Sequence, residues 1–187
     1  RGMVQPNSPL FELLTRYGLS HDILDRFLDR PVQPDVIGIN MYPMFSKKHL
    51  SRTSSGRLLV RIKRCGAETF AEIARMYAQR YRLPLMCAET AAIGRARVPW
   101  IGESVKKVRE LRGQGTPIIG YTYWPLFSLV AWAYQRGHAP LEDYLLHMGL
   151  WNLVPGRSGT LQRQATPAVQ AYQSQILAPM NLIAAPE

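Results

Sequence analysis

The 187-residue sequence has only two cysteines, Cys65 and Cys87, and neither they nor its four histidines show the spacing of a metal site. Two thiols favour a reducing compartment, so the sequence predicts a cytoplasmic location. No apolar run approaches the roughly 18 residues that a membrane helix needs. The first residues also lack the basic, apolar and small-residue order of a signal peptide. The sequence therefore predicts no metal site and no membrane partner.

Acidic residues are scarce, since 13 Asp and Glu stand against 23 Lys and Arg, and the formal net charge is +10. This balance favours nucleic acid or another acidic partner, and nucleic-acid binding is kept as an alternative function. A missing remainder of a larger protein would equally offset the charge, and we expect the chain, which begins at Arg1, to be a piece of a longer product. Arginine outnumbers lysine 18 to 5, so a compositional bias of the source genome is a third interpretation.

Buried strands alternate with amphipathic helices along most of the chain. Two short helices are predicted between residues 8 and 30, with Ser20 as the N-cap of the second. Apolar runs predict strands at residues 35–41, 83–88 and 117–124, and a fourth extended piece at 149–153. Helical periodicity predicts helices at residues 66–82 and 99–113, and a last one that begins at Thr166 and Pro167. The alternation favours a parallel α/β fold, followed by a loose tail from Pro179.

The connection at residues 43–65 is the most basic stretch of the chain. It holds seven Lys and Arg residues and no acidic residue. We predict a long polar loop here, mobile and close to the functional site, with a minor strand at Leu58 and Leu59. Arg95 and Arg97 are predicted to lie at the rim of the same site, where they would line an acidic or phosphorylated subsite or simply face solvent.

Functional side chains follow the three predicted strands. Sites in parallel α/β folds collect at the carboxyl ends of the strands. The first strand ends with Asn40 and Tyr42, the second with Glu89 and the third with Trp124. A carboxylate beside aromatic rings suits sugar chemistry, because a pyranose stacks on indole and a carboxylate can attack an oxocarbenium-like carbon. No P-loop or dinucleotide fingerprint occurs, so no cofactor is predicted.

These three segments resemble the last strands of family 1 glycoside hydrolases, the β-glucosidase-like (β/α)8 barrels with two catalytic glutamates. Residues 35–43, DVIGINMYP, resemble the sixth-strand motif D-F-x-G-x-N-Y-Y-T. Residues 84–90, PLMCAET, resemble the seventh, P-I-x-I-T-E-N. Residues 120–132, GYTYWPLFSLVAW, resemble the eighth, G-Y-x-x-W-S-L-x-D-N-F-E-W, and residues 148–153 resemble the closing F-G-L-x-x-V. The sequence also resembles glycosidase-like domains that some bacterial genes fuse to deoxysugar-nucleotide enzymes.

The resemblance implies an α/β fold that is the C-terminal portion, about the last three βα units, of a TIM (β/α)8 barrel. Residues 1–34 would be a helical lead-in, residues 35–154 would hold strands six to eight, and residues 155–187 a final helix and tail. The chain would then need the N-terminal part of the barrel, or a second chain, as its partner.

The resemblance also implies a retaining β-glycosidase that acts on a carbohydrate by double displacement through Glu89. Tyr42 would donate a hydrogen bond to this nucleophile, and Asn40 would line the pocket. Trp124 would form the sugar platform, and Trp132 would flank the distal hydroxyls.

The sequence departs from the resembled motifs at several positions. Ala131 stands where the family has a second glutamate that grips the sugar, Ser128 replaces an aspartate, and Thr90 replaces the asparagine after the nucleophile. The resembled family typically has a cis peptide bond after the tryptophan of its eighth-strand motif, and Pro125 makes that bond far less costly here, so the resemblance implies a cis Trp124–Pro125 bond.

The acid/base motif N-E-P is absent from the sequence, so this chain alone is expected to be inactive. An inactive sugar-binding or scaffolding domain is therefore kept as the main alternative to the enzyme.

Overall fold

The computed structural model describes residues 4–156 and 160–177. Its contacts divide the chain into two units, Arg1–Asp35 and Val36–Glu187. Among the described residues, no helix combines the length and the apolar composition that crossing a bilayer requires. The predicted tail from Pro179 lies outside the described residues.

The first unit consists of the two predicted helices, α1 (Pro9–Arg16) and α2 (His21–Asp29). The Ser8 hydroxyl accepts a hydrogen bond from the Phe11 N–H at 3.2 Å and caps α1. Gly18 takes a positive φ of 92° between the helices. The predicted capping bond of Ser20 does not form, and only its backbone carbonyl bonds into α2, where it accepts from the Leu24 N–H.

The second unit contains nine strands and three α-helices among its described residues. In chain order these are β1 (Ile37–Asn40), β2 (Lys47–Arg52), β3 (Leu58–Lys63), α3 (Ala67–Tyr81), β4 (Leu85–Thr90), α4 (Arg97–Gly113), β5 (Ile118–Tyr123), β6 (Leu129–Val130), β7 (Leu145–Leu146), β8 (Trp151–Pro155), β9 (Leu161–Ala165) and α5 (Pro167–Leu177).

The central sheet is parallel, with the strand order β1–β4–β5. Its strands are the three predicted ones, and α3 and α4 follow as the sequence predicts. The core lies between this sheet and the helices, and its fully buried side chains include Leu85, Ile101 and Leu111. The α/β prediction is therefore confirmed, whereas the described residues do not close a barrel, so the barrel portion stays a prediction.

The predicted long loop is wrong, whereas the minor strand predicted at Leu58 and Leu59 is confirmed as the start of β3. β2 and β3 form a six-rung antiparallel hairpin. Alternating apolar residues such as Leu50, Val60 and Ile62 suit strands. The connection is a tight turn in which the Thr53 N–H donates to the Arg57 carbonyl and Gly56 takes a φ of 81°.

The end of the chain contains pairing that the sequence pattern does not reveal. The predicted extended piece is β8, and it pairs with β9 across the predicted boundary at residue 154. The Thr166 hydroxyl accepts from the Ala168 N–H at 3.2 Å, as expected of a cap, and donates to the Leu150 carbonyl at 2.6 Å.

Arg97 is buried, so its prediction as a rim residue is wrong. Its guanidinium donates to the carbonyls of Gly94 and Gly149 at 2.8 Å each and to Asn152 Oδ1 at 2.9 Å. Burial lowers the pKa of this guanidinium, and an electrostatic interaction with Tyr123 opposes the shift. The side chain thereby ties the segment after β4 to the segment around β8, while Arg95 remains exposed.

We expect Arg97→Met to lower the free energy of unfolding by about 2–4 kcal/mol, because it leaves buried acceptors without a charged donor. Arg95→Met, two residues away and exposed, should change it by no more than about 0.5 kcal/mol. Urea unfolding of both variants measures the difference. Equal midpoints would show that the buried guanidinium does not tie these segments together.

Candidate active site

The carboxyl ends of β1 and β4 bring Tyr42 and Glu89 together. The Tyr42 O–H donates a hydrogen bond of 2.8 Å to Glu89 Oε2. The two residues are 47 positions apart in the chain, so only the parallel pairing of the strands makes the contact possible. Asn40 is the residue of β1 that lies opposite Glu89 in the register, and its side chain is exposed.

The register of β1 and β4 shifts by one residue just before this contact. Ile39 pairs with Cys87, but Asn40 pairs with Glu89, so Ala88 is the extra residue. Such irregularities change the face on which the following side chains lie and are frequent next to active sites. Beyond the shift the strands are joined again, because the Met41 N–H donates to the Glu89 carbonyl at 2.9 Å.

The hydroxyl of Thr90 fixes the strand ends from behind. It donates to the Met41 carbonyl at 2.6 Å and accepts from the Trp100 indole N–H at 2.9 Å. Both Thr90 and Trp100 are buried. In the sequence, Thr90 stands out only as a departure from the resembled motif, and Trp100 only as a residue of a predicted helix. An indole donor ten residues after a hydroxyl is too weak a local signal to predict the pair.

Trp124 joins the same group from the end of β5. Its backbone N–H donates to the Thr90 carbonyl at 3.0 Å. Its ring meets the Tyr42 ring edge-on, with the ring centroids 6.4 Å apart and the ring planes at 76°. Trp124 is 37% exposed, so part of its surface is open to a ligand. The Trp124–Pro125 bond is cis, as predicted.

The environment of Tyr42 keeps its phenol protonated. Burial raises the pKa of Tyr42 well above its ordinary value, and the hydrogen bond and charge of Glu89 raise it further. A protonated phenol donates to the carboxylate instead of repelling it. The pair is therefore a carboxylate held in one orientation by a neutral donor, which suits a nucleophile or an electrostatic stabiliser.

The remaining predicted residue, Trp132, is not brought into this group. It begins a short 3-10 helix, Trp132–Arg136, and the residue is 81% exposed. Among the described residues, no ring contact joins it to Tyr42 or Trp124. Ser128, which replaces the aspartate of the same motif, is buried. Its hydroxyl lies 2.8 Å from His147 Nδ1 and accepts a hydrogen bond from the Leu153 N–H at 2.9 Å.

No metal is implied by this arrangement. Within residues 4–156 and 160–177, no three His, Cys, Asp or Glu side chains are grouped so that they could hold an ion. Cys87, two residues before Glu89, is buried, and burial raises the pKa of its thiol to about 12, which keeps the thiol un-ionised and weakly nucleophilic at neutral pH.

The fold is similar to part of several solved β-glucosidases. A β-glucosidase from Thermotoga maritima in complex with castanospermine matches with a TM-score of 0.68 and 14% sequence identity, over 90% of this chain and 40% of that one. A β-glucosidase from Exiguobacterium marinum matches with a TM-score of 0.63 and 15% identity, over 89% and 40%. A family 1 β-glucosidase from Thermotoga maritima in complex with isofagomine lactam matches with a TM-score of 0.64 and 15% identity, over 88% and 40%.

The chain thus spans about 40% of the length of the β-glucosidases that it matches. At these identities the likeness concerns the fold alone. No protein-family model and no curated protein sequence matches the chain. The likeness covers most of this chain and agrees with the resemblance drawn from its strand motifs.

We expect Thr90→Val to lower the free energy of unfolding by about 2–3 kcal/mol, because it leaves the Met41 carbonyl and the Trp100 N–H buried without partners. Thr90→Ser retains the hydroxyl and should cost only about 1 kcal/mol for the lost methyl group. Chemical denaturation of the two variants compares them directly. A serine variant as unstable as the valine variant would mean that packing, and not the hydroxyl, holds the strand ends.

Proposed function

We propose that this chain is the nucleophile-bearing part of a retaining β-glycosidase, with Glu89 as the nucleophile. The observation that carries the proposal is the 2.8 Å hydrogen bond from Tyr42 to Glu89, beside the partly open ring of Trp124. The likeness in fold to β-glucosidases supports it. Glu89, Tyr42, Asn40, Trp124 and Trp132 keep the roles that the motif resemblance implies.

The chemistry proceeds in two displacements. A lone pair on the free oxygen of the Glu89 carboxylate attacks the anomeric carbon, and the bond from that carbon to the aglycone oxygen breaks. The leaving oxygen takes a proton from a second carboxylic acid. Water, deprotonated by the same second group, then displaces Glu89 and releases the sugar. Tyr42 holds Glu89 Oε2, which orients the other oxygen for attack, and Trp124 stacks against the sugar ring.

The second carboxyl comes from outside this chain in the proposal. Retaining enzymes place their two carboxyls about 5–5.5 Å apart. The motif that carries the acid/base is missing from the sequence, and β1 and β5 are the outer strands of the described three-stranded sheet. The partner is therefore the remainder of a barrel, in the same product or in a second chain, that pairs with these strands and supplies the acid.

Mechanism-based trapping of the full-length protein tests the nucleophile. A 2-deoxy-2-fluoro glycoside with a dinitrophenyl leaving group needs no acid assistance, so it isolates the first displacement. We expect one covalent adduct, located at Glu89 by peptide mapping, from at least one sugar in a panel. Glu89→Gln should give no adduct, whereas Glu142→Gln, which changes an exposed carboxylate, should react normally.

The alternative is a sugar-binding or scaffolding domain without turnover. Ala131 favours this alternative, because it stands where the resembled motif has a glutamate that binds the sugar hydroxyls. Losing those hydrogen bonds strongly weakens the discrimination between substrates. Saturable sugar binding without any adduct, in folded protein, would establish this alternative and reject the enzyme.

A Tyr42→Phe variant tests the orienting hydrogen bond. A bond to a charged group contributes about 1.5–3 kcal/mol, so trapping should slow by about 10- to 150-fold. Because the pKa of Tyr42 is raised, its phenol stays protonated through pH 10, where an ordinary tyrosine ionises. The trapping rate of the unmodified protein should therefore not fall between pH 8 and pH 10.5. A fall centred near pH 10 that disappears in Tyr42→Phe would contradict this account.

A further inference from the structure

The hairpin of β2 and β3 has two faces of different chemistry. Paired residues of antiparallel strands lie on the same face, and successive residues alternate between faces. The pairs Lys47–Lys63 and His49–Arg61 therefore lie on one face, which we call the basic face. The other face carries the exposed apolar residues Leu50, Leu58, Val60 and Ile62, with Lys48 and Arg52.

The charges of the basic face are not compensated within the hairpin. Like charges placed directly opposite each other destabilise a sheet, yet here Lys47 faces Lys63, and a third cation, Arg61, lies opposite His49 on the same face. All four side chains are exposed, and residues 43–66 contain no acidic residue. The ion pairs found among the described residues all lie on α3 and α4. The basic face is therefore free to bind an anion.

The hairpin begins and ends beside the candidate active site. The Tyr42 N–H donates to Ser46 Oγ at 2.8 Å, and the Ser46 N–H donates to the Tyr42 carbonyl at 2.9 Å. At the other end, the Cys65 N–H donates to the Pro43 carbonyl at 2.9 Å. Strands of this length extend about 20 Å, so a ligand that starts at the base can run along several rungs.

We infer that the basic face binds the anionic groups of a saccharide that extends from the Tyr42–Glu89 pair, which makes the substrate class an acidic saccharide. This inference rests on the proposed function. Carboxylate, sulfate and phosphate groups all accept hydrogen bonds from lysine and arginine in which both partners are charged, whereas the uncharged hydroxyls of a neutral sugar form weaker ones. Ala131 and Ser128, which replace carboxylates of the resembled motif, also remove charges that would repel such a ligand.

Binding to the full-length protein distinguishes this role from a general attraction to polyanions. The probes are β-1,4-linked tetraglucuronate, sulfated cellotetraose and neutral cellotetraose, which share one backbone and linkage, each titrated by calorimetry at low and at physiological salt. We expect at least one acidic tetrasaccharide to bind about tenfold or more tighter than cellotetraose. The acidic probe that binds more tightly shows whether the basic face prefers carboxylate or sulfate groups.

The two faces of the hairpin supply a matched pair of variants. Lys47→Gln with Lys63→Gln removes two charges from the basic face, and Lys48→Gln with Arg52→Gln removes two from the opposite face. We expect the first variant to lose about tenfold in affinity for the acidic saccharide and the second less than about threefold. If circular dichroism shows that the first variant is unfolded, Arg61→Gln provides the same comparison.

Equal losses from the two faces, or equal affinity for cellotetraose, would overturn the inference. So would tighter binding of a single-stranded oligonucleotide of matched charge, because it would identify nucleic acid as the ligand. The same titrations on Glu89→Gln measure binding without any reaction at residue 89. Face-specific binding without any Glu89 adduct would therefore reject the hydrolase and keep the binding site, and an adduct without a preference for acidic saccharides would do the reverse.

Discussion

The parallel pairing of β1 with β4 determines whether the candidate site exists, because every other contact in it starts from the ends of these strands. Once the register shifts at Ala88, the Met41 N–H meets the Glu89 carbonyl, and the next residue, Tyr42, is within reach of the Glu89 carboxylate. Thr90 then links both strands to Trp100 and, through its carbonyl, to Trp124. The phenol, the carboxylate and the indole are thus placed by backbone bonds and one buried hydroxyl, and they would separate together if that pairing failed.

Much of the central fold was predictable, since the strands and helices of a parallel α/β unit carry strong apolar periodicity. The contact of Tyr42 with Glu89 followed from the motif resemblance, and the structure contains it. Three features were not predictable for physical reasons. The role of Thr90 depends on partners in two other elements, and the burial of Arg97 depends on carbonyls more than 50 residues away. Only the Leu58–Leu59 part of the hairpin is predictable, because the many charges obscure the strand alternation around a glycine turn that was the available signal.

Much of the net charge of +10 is concentrated in one part of the fold, the hairpin of β2 and β3. A basic composition alone is compatible with nucleic acid, an acidic partner or a bias of the genome. The hairpin concentrates lysine and arginine on a short structure whose two ends are fixed beside Tyr42 and Pro43. Positive charge near the Glu89 carboxylate is consistent with an acidic ligand that the carboxylate alone would repel. The same region would connect recognition of the ligand to the strand that orients Glu89.

The central claim is that Glu89 is one of two carboxyls of a retaining site whose other half lies outside this chain. The most direct measurement is an experimental structure of the full-length protein with a 2-deoxy-2-fluoro sugar. The account predicts a second carboxyl about 5–5.5 Å from Glu89, on a strand that extends the sheet of β1, β4 and β5, with the sugar stacked on Trp124. A complete structure in which no carboxyl approaches Glu89, or in which Tyr42 and Glu89 are covered by protein, would contradict it.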